Sequence, residues 1–149
     1  MTSAYRKSAE MLAAAADLLD HGEIVNRLSL GLTVAAAAIL LVPPFATLAP
    51  IASLAALAGM AELALAARVR FDAALFRRAA ADAAADRFDM AAFDAALVTL
   101  GLMPAGKAGR PIETRFRGAR RLLVLQSASL VVQVAIIAAG GVWQFARLA

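Results

Sequence analysis

Charged side chains fall into two blocks, 1–27 and 68–121, and the stretches 28–67 and 122–146 are nearly bare of them. A soluble helical domain alternates polar and apolar positions within each element; segregation over such lengths is the pattern of a bilayer. The first bare stretch runs for 40 residues with one charge, Glu62. As a single helix it would reach about 60 Å, twice the hydrocarbon thickness, so it is expected to fold back. Val42-Pro43-Pro44-Phe45, or the following stretch to Pro50, is the expected turn, because prolines remove donors and block the preceding helical turn. Two spans follow, roughly 26–43 and 48–67, with a re-entrant hairpin as the alternative. A third runs from Leu122 to about Phe145, with Trp143 and Phe145 placed as an aromatic anchor at its end.

The charged blocks read as helix too. In 4–20, Tyr5, Met11, Leu12, Ala15, Leu18 and Leu19 recur at three- and four-residue spacing, while Glu10, Asp17 and Asp20 fall between them. Ser3 is the expected N-cap and Gly22 the expected stop. Packing on the protein is the expected fate of this stripe, since its charges past Lys7 are acidic and do not favour anionic lipid. Helix from the second span is expected to run on to about residue 84. Asp86 or Asp89 can cap a further helix with Phe93, Leu97 and Leu100 as its stripe, ended by Gly101 and Pro104. Residues 103–111 form a turn, and a last helix starts near Ile112 and continues into the third span.

Charge then sets an expected orientation. Residues 68–121 hold eleven Lys/Arg against six acids, whereas the tail beyond the third span holds only Arg147. By the positive-inside rule the loop and the N-terminus are cytoplasmic and the C-terminus is external. No cleavable signal peptide is expected, so the first span stays as an anchor. The net charge of +4 and the pI near 10.6 belong to this topology signal, and no nucleic-acid partner is expected. Thirteen of fifteen basic residues are arginine and alanine is abundant, the composition of a high-GC bacterial genome. Without cysteine there is no disulfide, thiolate metal site or cysteine nucleophile.

Few residues suggest chemistry. Glu62 is an acid within a span, a functional candidate by default, set against the reading that it reaches the interface or pairs with a nearby arginine. In the third span Gln126, Gln133 and Gly140 lie seven apart with Ser129 near the same line, though Leu130 and Ile137 share it. Such amides and small residues mediate helix–helix contact inside lipid. The spacings Gly31/Ala35 and Ala55/Gly59, with Ala52 and Ala56, offer small surfaces on the hairpin. Arg115, Arg117, Arg120 and Arg121 are placed to meet anionic headgroups. Residues 105–110 lack the spacing of a phosphate-binding loop. His21 has no companions for a metal site. Asp82, Asp86, Asp89 and Asp94 scatter around helical faces, which argues against a tethered enzyme.

The sequence thus predicts an all-α integral membrane protein of three transmembrane helices, a hairpin plus one, with a helical cytoplasmic layer. Its segments are 1–27 (amphipathic helix), 28–67 (hairpin), 68–121 (cytoplasmic loop), 122–146 (third span) and 147–149 (external tail). The expected function is that of a non-enzymatic accessory or scaffold subunit in a bacterial inner membrane, without cofactor. Its expected partners are lipid and another membrane protein or a second copy, docked through segments 4–20 and 89–101. The alternative is a small oligomeric transporter or channel in which Glu62, Gln126 and Gln133 line the path.

Overall fold

A computed structural model describes residues 3–42 and 47–148. Among them there is helix and no strand. The helices are α1 (Ser3–Asp20), α2 (Gly22–Leu40), α3 (Ala49–Ala84), α4 (Met90–Thr99) and α5 (Ile112–Leu148), with a short 3-10 turn at Ala105–Lys107. Three helical stretches are long and apolar enough to cross a membrane: Arg6–Leu40, Ala49–Ala84 and Ile112–Arg147. Pro43, Pro44 and Phe45 of the expected turn lie outside the described residues, but α2 and α3 end and begin on either side of them.

The helix ends follow local chemistry. Asp89 is the N-cap of α4, its carboxylate accepting from the backbone N–H of Ala91 (2.8 Å) and Ala92 (3.3 Å). The same helix stops at Gly101, whose φ of +68° lets Gly101 N–H reach Val98 O and Leu102 N–H reach Leu97 O, the paired closing bonds of a left-handed C-terminal cap. Asp86 does not cap the following helix. It ends α3 in the same manner, at φ +61°, with Asp86 N–H on Ala83 O and Arg87 N–H on Asp82 O. Gly22 is also not a stop. His21 keeps right-handed helical dihedrals and α2 begins at Gly22, so the first long apolar helix starts inside the segment assigned to 1–27.

The chain divides into two compact units. One comprises the described residues up to Leu19 with Phe71–Arg120; the other comprises Asp20–Arg70 with Arg121 onward. The first has a thin, alanine-rich core. Leu12, Ala15, Ala16 and Leu19 of α1 are buried, as are Ala73, Phe76, Ala79, Ala80 and Ala83 of α3 and Leu97 of α4. Phe76 meets Phe116 edge to face, with ring centroids 6.4 Å apart. The predicted stripe of α1 is therefore an internal face, although Leu18 falls off it and is exposed. On α4, Leu97 is buried and Phe93 half-buried, but Leu100 is 68% exposed because Asp94 occupies the inward position instead.

The second unit is a bundle of α2 with the first part of α3 and the last part of α5. Its interior is small and polar. Gly22, Ser29 and Ala36 of α2 face inward, with Ala52, Ala55, Gly59, Glu62, Ala66 and Val69 of α3 and Gln126, Gln133 and Gly140 of α5. Its outside carries the bulk: Leu28, Leu30, Val34, Leu54, Leu57, Met60, Leu63, Val124, Val131, Val132 and Val142 are exposed. Gly31 and Ala35, offered by sequence as a packing surface, lie on that outer side. The inward register of α2 is set by Ser29 and Ala36, seven apart, and Gly31 falls off it by half a turn.

Candidate functional site

The polar side chains of the second unit form separate sets of contacts between helices, because a buried polar group away from water is stabilised by a partner on a neighbour. Gln133 is completely buried and its amide uses both ends. Its Oε1 accepts from Ser29 Oγ on α2 at 2.7 Å. Its Nε2 donates to Thr33 Oγ1 (2.9 Å) and to the Ala55 carbonyl of α3 (3.2 Å). Thr33 Oγ1 donates in turn to Ser29 O at 2.7 Å. One side chain on α5 thus joins all three helices. Gly59 makes room for it: a Cβ there would stand 2.7 Å from Gln133 Nε2 and collide with Thr33 Oγ1.

Two turns earlier on α5, Gln126 repeats the arrangement. Its Nε2 donates to the Gly22 carbonyl of α2 at 2.7 Å and to Glu62 Oε1 of α3 at 2.8 Å. Gln126 is 0% exposed and Glu62 1%. Glu62 is therefore buried in the bundle, and α5 supplies the donor that it accepts from. Gly22 is needed for proximity rather than for a turn, since a Cβ there would lie 2.7 Å from Gln126 Oε1. That oxygen, unlike the one of Gln133, has no hydrogen-bond partner. Asn26 Oδ1, one turn beyond Gly22 on α2, is a second buried oxygen without one.

The remaining candidates fall as follows. Ser129 Oγ donates to Ala58 O of α3 at 3.1 Å. Gly140 is buried against Ile51, whose Cγ2 would lie 2.6 Å from an added Cβ. Glu62 and Gln126 touch directly, while Gln133 bonds to Ser29, Thr33 and Ala55 instead. Gly22, Ser29 and Thr33 were missed in the sequence. The seven-residue step from Gly22 to Ser29, matching that from Gln126 to Gln133, was the available signal.

In the first unit the polar contact of consequence is an ion pair. Asp94 is 3% exposed. Its Oδ2 accepts from Arg115 Nη2 at 2.7 Å and from Gly109 N–H at 2.6 Å. Arg115 Nε also donates to Arg110 O at 3.0 Å. The start of α5 and the turn before it are thereby fastened to α4. Arg115 thus has its guanidinium on Asp94, whereas Arg117, Arg120 and Arg121 are exposed. A shallow, mostly apolar groove lies between α4 and the 3-10 turn, lined by Met90, Asp94, Val98, Ala105 and Gly109. Among the described residues no group of three or more His, Cys, Asp or Glu is placed to hold a metal ion. Comparisons of the chain with protein-family models, with curated proteins and with solved structures find no match.

Proposed function

We propose that this chain is an integral membrane protein that works without catalysis, as an accessory or scaffold subunit of a larger membrane assembly. The observation that carries the membrane reading is the inverted distribution in the second unit. Serine, glutamine and glutamate are buried, and leucine, valine and methionine are exposed. In water that arrangement would leave a large apolar surface unburied; in lipid it is the stable one, because hydrocarbon gives no reason to hide leucine and every reason to pair amides. The excess of basic residues in 68–121 favours a cytoplasmic loop and N-terminus and an external C-terminus, in a bacterial inner membrane.

The packing of the polar residues favours a scaffold. Gln133, Ser29 and Thr33 bond to one another and to backbone carbonyls rather than facing open water, as a transport path would require. The buried stripe of α1 leaves α4, with Leu100 exposed and the apolar groove beside it, as the better docking face for a partner. Arg117, Arg120 and Arg121 are available to anionic headgroups, each contributing about 1 kcal/mol near the surface.

Since the chain has no cysteine, single cysteines report position cleanly. In sealed inverted vesicles an impermeant maleimide should label Lys107→Cys, leave Leu57→Cys and Val131→Cys unlabelled, and reach Arg147→Cys only after detergent. Labelling of Leu57→Cys in intact vesicles would end the membrane reading. For the scaffold reading, the tagged protein is purified in nanodiscs and the intact particle weighed. A stoichiometric larger partner is expected; a homo-oligomer alone would move the weight to the transporter alternative.

A further inference from the structure

Resting on the membrane reading above, we infer that α5 carries a site for one phospholipid with a doubly negative headgroup, held by Arg117, Arg120 and Arg121. The three fall at i, i+3 and i+4, on one face of a single helical turn. That face points out of the fold. Ala119, two residues from both Arg117 and Arg121, lies on the opposite side of the helix and is buried, whereas the three arginines are exposed. They are also uncommitted. Arg27, Arg87 and Arg115 stand beside carboxylates, and among the described residues Arg117, Arg120 and Arg121 do not.

The same face continues into the span. Val124, Ala128, Val131 and Ala135 lie seven, eleven, fourteen and eighteen residues after Arg117, spacings that return an α-helix to nearly the same line. All four are exposed, and Leu125 and Val132 beside them are exposed too. A phosphate at the guanidiniums would therefore have its acyl chains along an open apolar strip that begins about 4.5 Å further down the helix. Free phosphate would use the arginines alone; a phospholipid uses the whole face. Charge selects the headgroup. Glu113, four residues before Arg117, is an exposed acid on that face, and Arg115 is already matched by Asp94. Three guanidiniums less one carboxylate leave two positive charges. A headgroup with two phosphates neutralises them, and each phosphate offers the paired oxygens that a guanidinium fork binds. A headgroup with one phosphate leaves a positive charge unmatched.

Titration of the delipidated full chain in neutral detergent with diphosphatidylglycerol, read by native mass spectrometry, tests this. One tightly held lipid per chain is expected, bound about fivefold or more tighter than phosphatidylglycerol, the worth of one further matched charge. Replacing all three residues (Arg117→Gln, Arg120→Gln, Arg121→Gln) should weaken binding about 100-fold. A second triple variant (Lys107→Gln, Arg110→Gln, Arg147→Gln) removes the same charge elsewhere and should leave affinity unchanged. All six positions are exposed, so neither variant disturbs a packed interior. Equal affinity for the two lipids, equal losses in the two variants, or full competition by inorganic phosphate overturns the site. Any of these with Leu57→Cys still shielded in vesicles removes the lipid site alone; labelling of Leu57→Cys removes the membrane reading with it.

Discussion

Ser29 Oγ donates a 2.7 Å hydrogen bond to Gln133 Oε1 across 104 residues of chain. The bond closes α2 onto α5, and α3 joins through the Ala55 carbonyl and the opposite end of the same amide. Gln133→Leu removes these bonds and leaves Ser29 with its hydroxyl in an apolar interior. Interhelical hydrogen bonds in membranes contribute about 0.6 kcal/mol on average and up to about 1.7 each. A loss of about 1–3 kcal/mol is expected, measured by unfolding in mixed micelles. An unchanged midpoint would show that the amide is dispensable.

Gly59 and Gly31 make a matched pair for volume. An added Cβ at Gly59 meets Thr33 and Gln133, whereas nothing lies within 4 Å of one at Gly31. Gly59→Ala should cost about 1–3 kcal/mol through overpacking. Gly31→Ala should be neutral or stabilise by up to about 1 kcal/mol through helix propensity. Equal midpoints for the two variants would contradict the register of α2 against α3.

Asp94→Ala strips Arg115 of its carboxylate in a place where little water can replace it. Breaking a buried pair costs about 3–5 kcal/mol, and the turn before α5 also loses the Gly109 bond. The expected readout is faster trypsin cleavage at Lys107, with cleavage at Arg147 unaffected. If the rate at Lys107 matches the wild type, the pair does not hold the turn.

Asp86 closes α3 in a left-handed conformation that glycine adopts without steric penalty. Asp86→Gly should therefore relieve a backbone penalty of about 1 kcal/mol, set against the loss of the carboxylate's own contacts. Asp86→Val, which resists that conformation, should destabilise the chain by at least as much. The glycine variant should melt above the valine variant, and coincident curves would deny the cap any energetic role.

Much of the local architecture is legible along the chain because it depends on neighbours in sequence. The cap at Asp89, the stop at Gly101, the start at Ile112 and the run of α3 to Ala84 all rest on side chains a few residues from the backbone they control. Gly22 and Asp86 were misread for an instructive reason. Glycine at the end of a periodic stretch signals a stop only if nothing needs to approach it, and Gln126 does. Asp86 is as good a cap in isolation as Asp89, and the choice depends on where α3 closes.

What the sequence determined by itself is the number of long apolar helices and which face of α5 is polar, since charge segregation and a seven-residue spacing are properties of one segment. Partners needed the tertiary structure. That Glu62 meets Gln126, that Gln133 reaches Ser29, that Arg115 turns to Asp94, and that Gly31 faces outward all depend on how separate helices are rotated about their axes. That rotation is fixed by small interhelical clearances, such as those at Gly22, Gly59 and Gly140, where a single methyl group has no room. No one helix carries this information, because a clearance is a distance between two.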